Sequence, residues 1–501
     1  MQARSGARSQ QKRSTPPEPS RAAPEPRKPL TTEGQNGEES ETTVSLEDAM
    51  RQMSRQLELP LDSRGESPTV DGSGEASSAV RGNGRSGNDE ALLMERVVAC
   101  DNVVAALKRV QKNKGSPGVD GMTVEALREH LRETWPVLRE QLLAGTYRPR
   151  PVKQQLIPKS DGGVRELGIP TALDRFIQQA ILQVLQPQID PSFSSHSHGF
   201  RPGRRAHDAV CEAQKYIQEG RQWVVDVDLE KFFDRVNHDV MMGKLAKRIA
   251  DKRVLGLLRG YLDAGIMANG VETERREGTP QGGPLSPMLA NVLLDEVDKE
   301  LEKRGHAFVR YADDCNIYVR SERAGERVMK TLRRLYAKLR LHINESKSTV
   351  ARPWTRKFLG YSFWVDEKAT VKRRVADKAL ATMKNRVRSI TIRHGRSLPA
   401  IIADLRSYLV GWKNYFRLAD VPRTFRDLDG WIRHRLRAIQ LKHWRNYATI
   451  HRQLRARGLS PHDAWEVARH TGRWWMGSAR TLNRAIPIRY FDGLGLPRLA
   501  I

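Results

Sequence analysis

Residues 306–320, HAFVRYADDCNIYVR, set two adjacent carboxylates between two runs rich in β-branched and aromatic residues, Phe308–Tyr311 and Cys315–Val319. The pattern predicts a tight β-hairpin with Ala312-Asp313-Asp314 at its tip. Two like charges on one turn repel, so folding alone gives little reason to choose them. A divalent cation reverses that balance, because hard Mg²⁺ is held by one or two carboxylates together with substrate phosphates. A bare Asp-Asp turn is usually just solvated. Framed as Tyr-Ala-Asp-Asp between two strands, the pair is a stronger metal candidate, and it needs a third carboxylate from elsewhere.

The apolar, β-branched run Trp223–Val227 leads into Asp228, followed by Leu229-Glu230-Lys231-Phe232-Phe233-Asp234. A buried strand ending in an aspartate presents a metal ligand at its tip. Asp226, two residues earlier, shares the same strand face and competes for the role. Asp228 is preferred because an apolar residue follows it and Phe233 stands five positions on. That spacing lets one aromatic lie under an incoming sugar while Asp228 holds the metal.

Other segments must position a substrate around these carboxylates. Val152–Pro170 contains two strand-like runs joined by Ser160-Asp161-Gly162-Gly163, and Lys159 and Arg165 flank the turn as a hairpin gripping a triphosphate requires. Two cations beside a polar turn are also commonly just solvated. Ser197–His207, SHGFRPGRRAH, is a basic, glycine-containing stretch suited to a phosphate backbone. Glu277–Glu296 is a Gly/Pro-rich turn entering a long amphipathic helix, with Gln281 and glycines that permit close approach of a nucleotide. Leu341–Val350 is a turn and strand carrying Lys347, and Lys357–Trp364 is a short hydrophobic hairpin. Helices are expected over Ala91–Lys112, Val124–Leu143, Asp174–Leu185 and Glu322–Leu339.

Charge names the class of partner. The net charge is +27, and the last 151 residues hold 32 Lys/Arg against 10 Asp/Glu together with eight of the ten tryptophans. Basic charge interleaved with large aromatics suits phosphate neutralisation and base stacking, although many of those tryptophans must be core. From Ala376 the pattern turns helical, with expected helices at Lys378–Ile392, Leu398–Leu418 and Phe425–Trp444. In the second of these, Leu405, Leu409, Trp412 and Phe416 recur at helical spacing. Residues 1–90 lack Phe, Trp and Tyr, and are expected to be disordered apart from a transient amphipathic helix over Val44–Leu61. Cys100, Cys211 and Cys315 form no CxxC, which argues against a disulfide framework or a cysteine zinc site. No run of about 18 apolar residues occurs, so a cytoplasmic protein with no membrane partner is expected.

In order, GSPGVDG, IPKSDGGVRELGIPT, HGFRPGRRAHDA, VDVDLEKFFD, GTPQGGPLSPMLAN, YADD, INESKS and FLGY resemble the serial motif blocks of bacterial group II intron-encoded reverse transcriptase–maturases. The stretches SLPAIIADLRSYLVGWKNYFRLAD and FRDLDGWIRHRLR resemble that family's thumb, or maturase, domain. The resemblance spans roughly residues 91–450. It implies an α/β right-hand polymerase, with fingers and a mixed or antiparallel palm sheet, followed by an all-α thumb. The expected domains are a disordered extension (1–88), fingers and palm (89–370), a thumb/maturase domain (371–450) and a basic, Trp-rich, DNA-binding segment (451–501).

By the same resemblance Asp228, Asp313 and Asp314 carry over as catalytic metal ligands, with the Leu229 carbonyl also facing metal. Phe233 matches the sugar-sensing aromatic, Lys159 and Arg165 the triphosphate-gripping residues, Gln281 the nucleotide-pocket glutamine, and Lys347 a further substrate contact. The implied cofactors are two Mg²⁺ ions, with Mn²⁺ able to substitute. The implied partners are group II intron RNA, a DNA target or primer, and dNTPs; whether a homodimer forms is left open. The intact carboxylates argue against a splicing-only relative. A domesticated reverse transcriptase serving repair or phage defence is the main rival reading. The longest family members append an endonuclease with paired cysteines and histidines. Here His434, His443, His451, His462 and His470 lack CxxC partners and are expected to be surface or nucleic-acid contacts.

Overall fold

The computed structural model describes residues 92–158, 164–268, 270–275, 277–280, 282–392, 395–470, 475 and 481–500. The expectations for residues 1–90 lie outside these residues, as do Lys159 and Gln281. The described chain opens with helices Leu93–Val97, Cys100–Asn113 and Leu127–Ala144. Leu127, Leu131, Leu138 and Leu142 of the third helix point inward at spacings of four, seven and four. Next come β1 (Val152–Pro158) and β2 (Val164–Ile169), paired antiparallel, so that Ile157 faces Arg165.

The helix Ala172–Ile189 starts where Thr171 caps the Asp174 amide, and it is buried along most of its length. After the helix Ala206–Gln218 comes β3 (Trp223–Val227), then a 3₁₀ turn at Phe232–Asp234 and helices His238–Leu245 and Lys252–Asp263. Two short strands, β4 (Ile266–Ala268) and β5 (Val271–Thr273), complete a four-stranded mixed sheet in the order β2-β1-β4-β5.

The helix Ser286–Lys303 leads into β6 (Ala307–Tyr311) and β7 (Asp314–Val319), and the helix Glu322–Lys338 into β8 (Thr349–Ala351). These strands form a second sheet, β6-β7-β3-β8, with every pairing antiparallel. Its strands alternate little, because helices cover it: Phe308, Val309, Cys315, Ile317, Val225 and Val227 are all fully buried. β9 (Lys357–Phe358), β10 (Tyr361–Val365) and β11 (Val371–Val375) make a small third sheet.

From Asp377 the chain is helical: Asp377–Ile392, Leu398–Tyr415, Pro422–Trp444, Tyr447–Arg455 and Pro461–Arg469, then short turns of helix at Leu482–Ala485 and Ile488–Gly493. Leu405, Leu409, Trp412 and Phe416 are buried, as their spacing predicts. Each contributes about 2 kcal/mol of transfer free energy. They share one core with Tyr361 and Phe363 of β10 and with Val309 of β6. Residues 481–500 return to the same helices. Asp429 accepts the amides of Leu499 and Ala500, and Arg437 Nε donates to the Ile486 carbonyl.

Candidate active site

The β6–β7 register makes Tyr311 the partner of Asp314, so the hairpin closes through two residues, Ala312 and Asp313. The three-residue tip expected from sequence is thus one residue shorter, and Asp314 begins the strand. Ala312 takes a left-handed conformation (φ +59), which costs an L-residue about 1 kcal/mol. Two supports hold it there. A Cβ on Gly199 would lie 2.1 Å from the Ala312 nitrogen, so the turn rests directly on glycine backbone. From the other side Arg310 Nη1 donates to the Ala312 carbonyl at 2.9 Å.

Arg310 is 1% exposed, and its other donors are also satisfied. Nε and Nη2 reach Asp298, itself fully buried, at 2.8 and 2.6 Å, and Nη1 also reaches Asn291 Oδ1 at 2.8 Å. Asn291 Nδ2 in turn donates to the Gly199 carbonyl at 2.9 Å. One buried polar network therefore grips both sides of the carboxylate turn.

β3 brings the third carboxylate. Its ladder with β7 ends at Val227 opposite Cys315, so Asp228 follows the last paired residue of β3 and Asp314 precedes that of β7, and both line one cleft. Ser348 Oγ accepts the Asp228 amide, and the Asp228 carbonyl accepts the Asn344 amide at 2.9 Å, which fixes the chain where the strand ends. Leu229 forms an antiparallel bridge with Ile343 in which neither exchanges hydrogen bonds with the other. Its carbonyl therefore points away from that segment, to the side occupied by the β7 hairpin.

Asp226, the competitor, is already engaged. Arg356 Nε donates to its carboxylate at 2.8 Å, and Nη2 forms an ion pair with the same oxygen at 2.6 Å. Among the described residues the Asp228 carboxylate has no such cationic partner. Burial raises the Asp226 carboxyl despite Arg356. Burial, then the charges of Asp313, Asp228 and Asp226, push the Asp314 carboxyl up to about 7, although its outer edge stays open to solvent. This is an excess of negative charge that a divalent cation relieves, and the donor set of three carboxylates and one carbonyl is the hard-oxygen kind such ions take.

Asp226, Asp228 and Asp314 line a cleft of about 710 Å³, with Lys347, Lys357, Lys378, Tyr408, Trp412 and Phe416 also on its walls. Lys347 is thus brought to the carboxylates. Phe233 is half-buried against Phe232 (ring centroids 5.0 Å apart), and its carbonyl accepts the Thr279 amide at 2.7 Å. That bond joins it to the glycine-rich segment, where Gly278 sits at φ +89 and a Cβ would meet the Asp234 carbonyl. Arg165 lies on β2, its side chain outside the described residues.

Within the basic stretch 197–207, Arg201 is buried and spends its donors on Asp190 and on the Ser194 and Ser197 carbonyls, while His198 binds Glu212. Gly199 supports the carboxylate turn, and Arg205 stays exposed. Arg310, Asp298, Asn291, Gly199 and Arg356 were not picked out from sequence. The one available signal was an arginine inside the apolar run FVRY, beside the carboxylates. Elsewhere, the side chains of His462, Asp463 and Glu466 converge on an outer helix, and Arg484 approaches Asp463 at 3.5 Å.

Residues 157–363 match the family described as reverse transcriptase (RNA-dependent DNA polymerase), and residues 380–458 match the group II intron, maturase-specific domain. The chain is 38% identical to protein YkfC of Escherichia coli (strain K12) over 38% of its own length and 52% of that protein. It is 28% identical to the group II intron-encoded protein LtrA of Lactococcus lactis subsp. cremoris, over 54% of its own length and 56% of that protein. It is 31% identical to a putative COX1/OXI3 intron 1 protein of Saccharomyces cerevisiae, over 43% of its own length and 26% of that protein. The chain thus spans about half or less of the length of these curated relatives. Among the described residues no helix is long and apolar enough to cross a membrane. The chain thus carries a reverse transcriptase domain followed by a group II intron maturase-specific domain in one polypeptide, and in this it is similar to group II intron-encoded reverse transcriptase–maturases.

Proposed function

We propose that this protein is an RNA-directed DNA polymerase that copies a group II intron RNA into DNA, and a maturase that binds the same RNA to assist its splicing. The observation that carries the first activity is the convergence of Asp228, Asp313 and Asp314 at one end of the antiparallel sheet, beside a cleft shared with the helical domain. A reverse transcriptase domain implies divalent-metal dependence. The three carboxylates and the Leu229 carbonyl fit two Mg²⁺ ions, which when bound supply the Lewis acidity of in-line phosphoryl transfer.

The residues of this chain do the placing. Asp228, Asp313 and Asp314 fix where the primer hydroxyl and the phosphate meet. Phe233 lies under the sugar, Lys347 contacts substrate from the cleft wall, and Lys159, Arg165 and Gln281 hold the triphosphate and base. The helices from Asp377 onward track the template–primer duplex with their excess of Arg and Lys. Residues 1–88 are assigned to an extension, 89–370 to fingers and palm, 371–450 to the thumb and 451–501 to a DNA-contacting segment folded back on it. The second activity uses the basic surface alone, with chemistry carried by the RNA.

The deciding experiment is primer extension on an RNA template with dNTPs and Mg²⁺. Extension by the wild type establishes the polymerase. No extension by a folded, RNA-binding wild type leaves only the splicing cofactor.

A further inference from the structure

The helix Glu322–Lys338 has two chemically opposed faces. Gly325, Val328, Met329, Leu332 and Tyr336 are buried where it packs on β3, β7 and β8. Gly325 permits that approach, since a Cβ there would lie 2.4 Å from Val350 Cγ1. On the other face Arg323, Arg327, Lys330, Arg334 and Lys338 recur every three or four residues, and all five are exposed. At 100° per residue they fall within an arc of about 80° and run about 22 Å along the axis.

A charged helix face is ordinarily a solvated mixture of signs, with carboxylates set one turn from cations. Here that mixture is confined to the first turns, where Glu326 lies one turn from Arg323 and Lys330. The helix has no carboxylate from Lys330 to Lys338, and beside the stripe Arg333 pairs with Glu345. Among the described residues none of the five cations has a carboxylate partner within ion-pair distance.

The stripe continues into a cavity of about 450 Å³ lined by Arg221, Arg304, His306, Arg320 and Arg327 over a floor that includes Val319 and Val328. Glu219 pairs with Arg221 and Glu300 with Arg304, whereas Arg320 and Arg327 have no such partner among the described residues. Burial and the neighbouring Arg304 hold the His306 imidazole below its ordinary range, so it offers hydrogen bonds more than charge. The cavity lies at the open end of the β6–β7 hairpin, since His306 precedes β6 and Arg320 follows β7. Seven residues of extended chain, about 20 Å, separate it from Asp313.

Cations spaced about 5–6 Å apart along a straight line fit a repeating anion better than a single one. The face exposes no large apolar side chain for insertion into a lipid surface. We propose that the outer face of this helix and the adjoining arginine-lined cavity form a docking surface for the phosphate backbone of a folded RNA, separate from the catalytic cleft. The proposal rests on the RNA-binding half of the function argued above, and it names the surface responsible.

The test compares the full chain with its R323Q/R327Q/R334Q variant. The three side chains are solvent-facing, so the variant should fold, and a thermal melt checks that it does. The probes are a fluorescein-labelled stem-loop RNA, followed by anisotropy across a salt series, and a short primer–template, followed by extension. The variant is expected to extend the primer at the wild-type rate and to bind the stem-loop at least about tenfold more weakly. The slope of log affinity against log salt should be shallower by about two to three, as for three lost phosphate contacts. Unchanged affinity and slope in the folded variant overturn the proposal. So does loss of extension with stem-loop binding intact, which would assign the face to the primer–template. If the wild type fails to extend but the variant still loses stem-loop binding, the docking surface stands and the polymerase reading falls.

Discussion

Arg310 Nη1 donates to the carbonyl of Ala312 at 2.9 Å, so a guanidinium 1% exposed to solvent holds the left-handed residue that precedes Asp313. The charge needed to hold the turn is balanced by Asp298 behind it, on the helix Ser286–Lys303. The carboxylate turn is thus braced from within the core, and its outer side stays open to solvent.

That bracing separates stability from activity. Arg310→Met strands a buried Asp298 carboxylate and is expected to cost about 3–5 kcal/mol of stability. The double variant Arg310→Met/Asp298→Leu removes both charges and should recover most of that loss, yet still lack the donor to Ala312. Urea denaturation and primer extension on both proteins check this. Full activity in the double variant would mean that the turn holds itself.

Asp226 and Asp228 should differ sharply although they share a strand face. Asp228→Asn and Asp313→Ala are expected to lower primer extension at least about a hundredfold while leaving RNA binding intact. Asp226→Asn keeps one hydrogen-bonding oxygen for Arg356 and should stay within about tenfold of wild type. Equal losses at 226 and 228 would return Asp226 to the ligand set.

Gly199→Ala tests the surface on which the turn rests. The added methyl would stand 2.1 Å from the Ala312 nitrogen, and backbone on both sides must shift. Overpacking of this kind costs about 1–3 kcal/mol, and extension should fall further than stability because the displaced atoms carry Asp313. Gly203→Ala, at φ +70 and with open space around its Cβ position, provides the comparison. It should lose stability through backbone strain but keep extension rates near wild type.

A pH dependence follows from Glu212, which accepts from His196, His198 and Tyr216. Burial alone would raise this carboxyl, but the three hydrogen bonds outweigh it and hold it down at about 2, below its ordinary 4.5. The hydrogen bond to Glu212 raises His196 above its ordinary 6.5. The Glu212 contribution is complete above pH 4.5 and lost as pH falls toward 2. The His196 contribution is complete below pH 6.5 and lost as pH rises through its folded value. Stability from this cluster should therefore peak between pH 4.5 and 6.5 and decline on the alkaline side. Melting temperatures from pH 5.5 to 8.5 should show that decline, and His196→Gln should flatten it.

Local chemistry carried much of this molecule. The strand–Asp-Asp–strand pattern, the apolar run ending at Asp228 and the helical spacing of Leu405, Leu409, Trp412 and Phe416 are all nearest-neighbour signals, and each found its place. Composition pointed to a polyanionic partner because charge needs no fold to be counted. What residue order could not show was who neutralises whom. Arg356 and Asp226 are 130 positions apart, and Arg310 meets Asn291 19 positions away. Arg201 looked available for phosphate until folding closed Asp190 and two carbonyls around it. Ion pairs and carbonyl contacts of that kind depend on side chains meeting in space, after strand pairing and helix packing have set the distances. Asp226 and Asp228 share a strand face by their spacing, and only the folded chain shows that Arg356 engages the first of them.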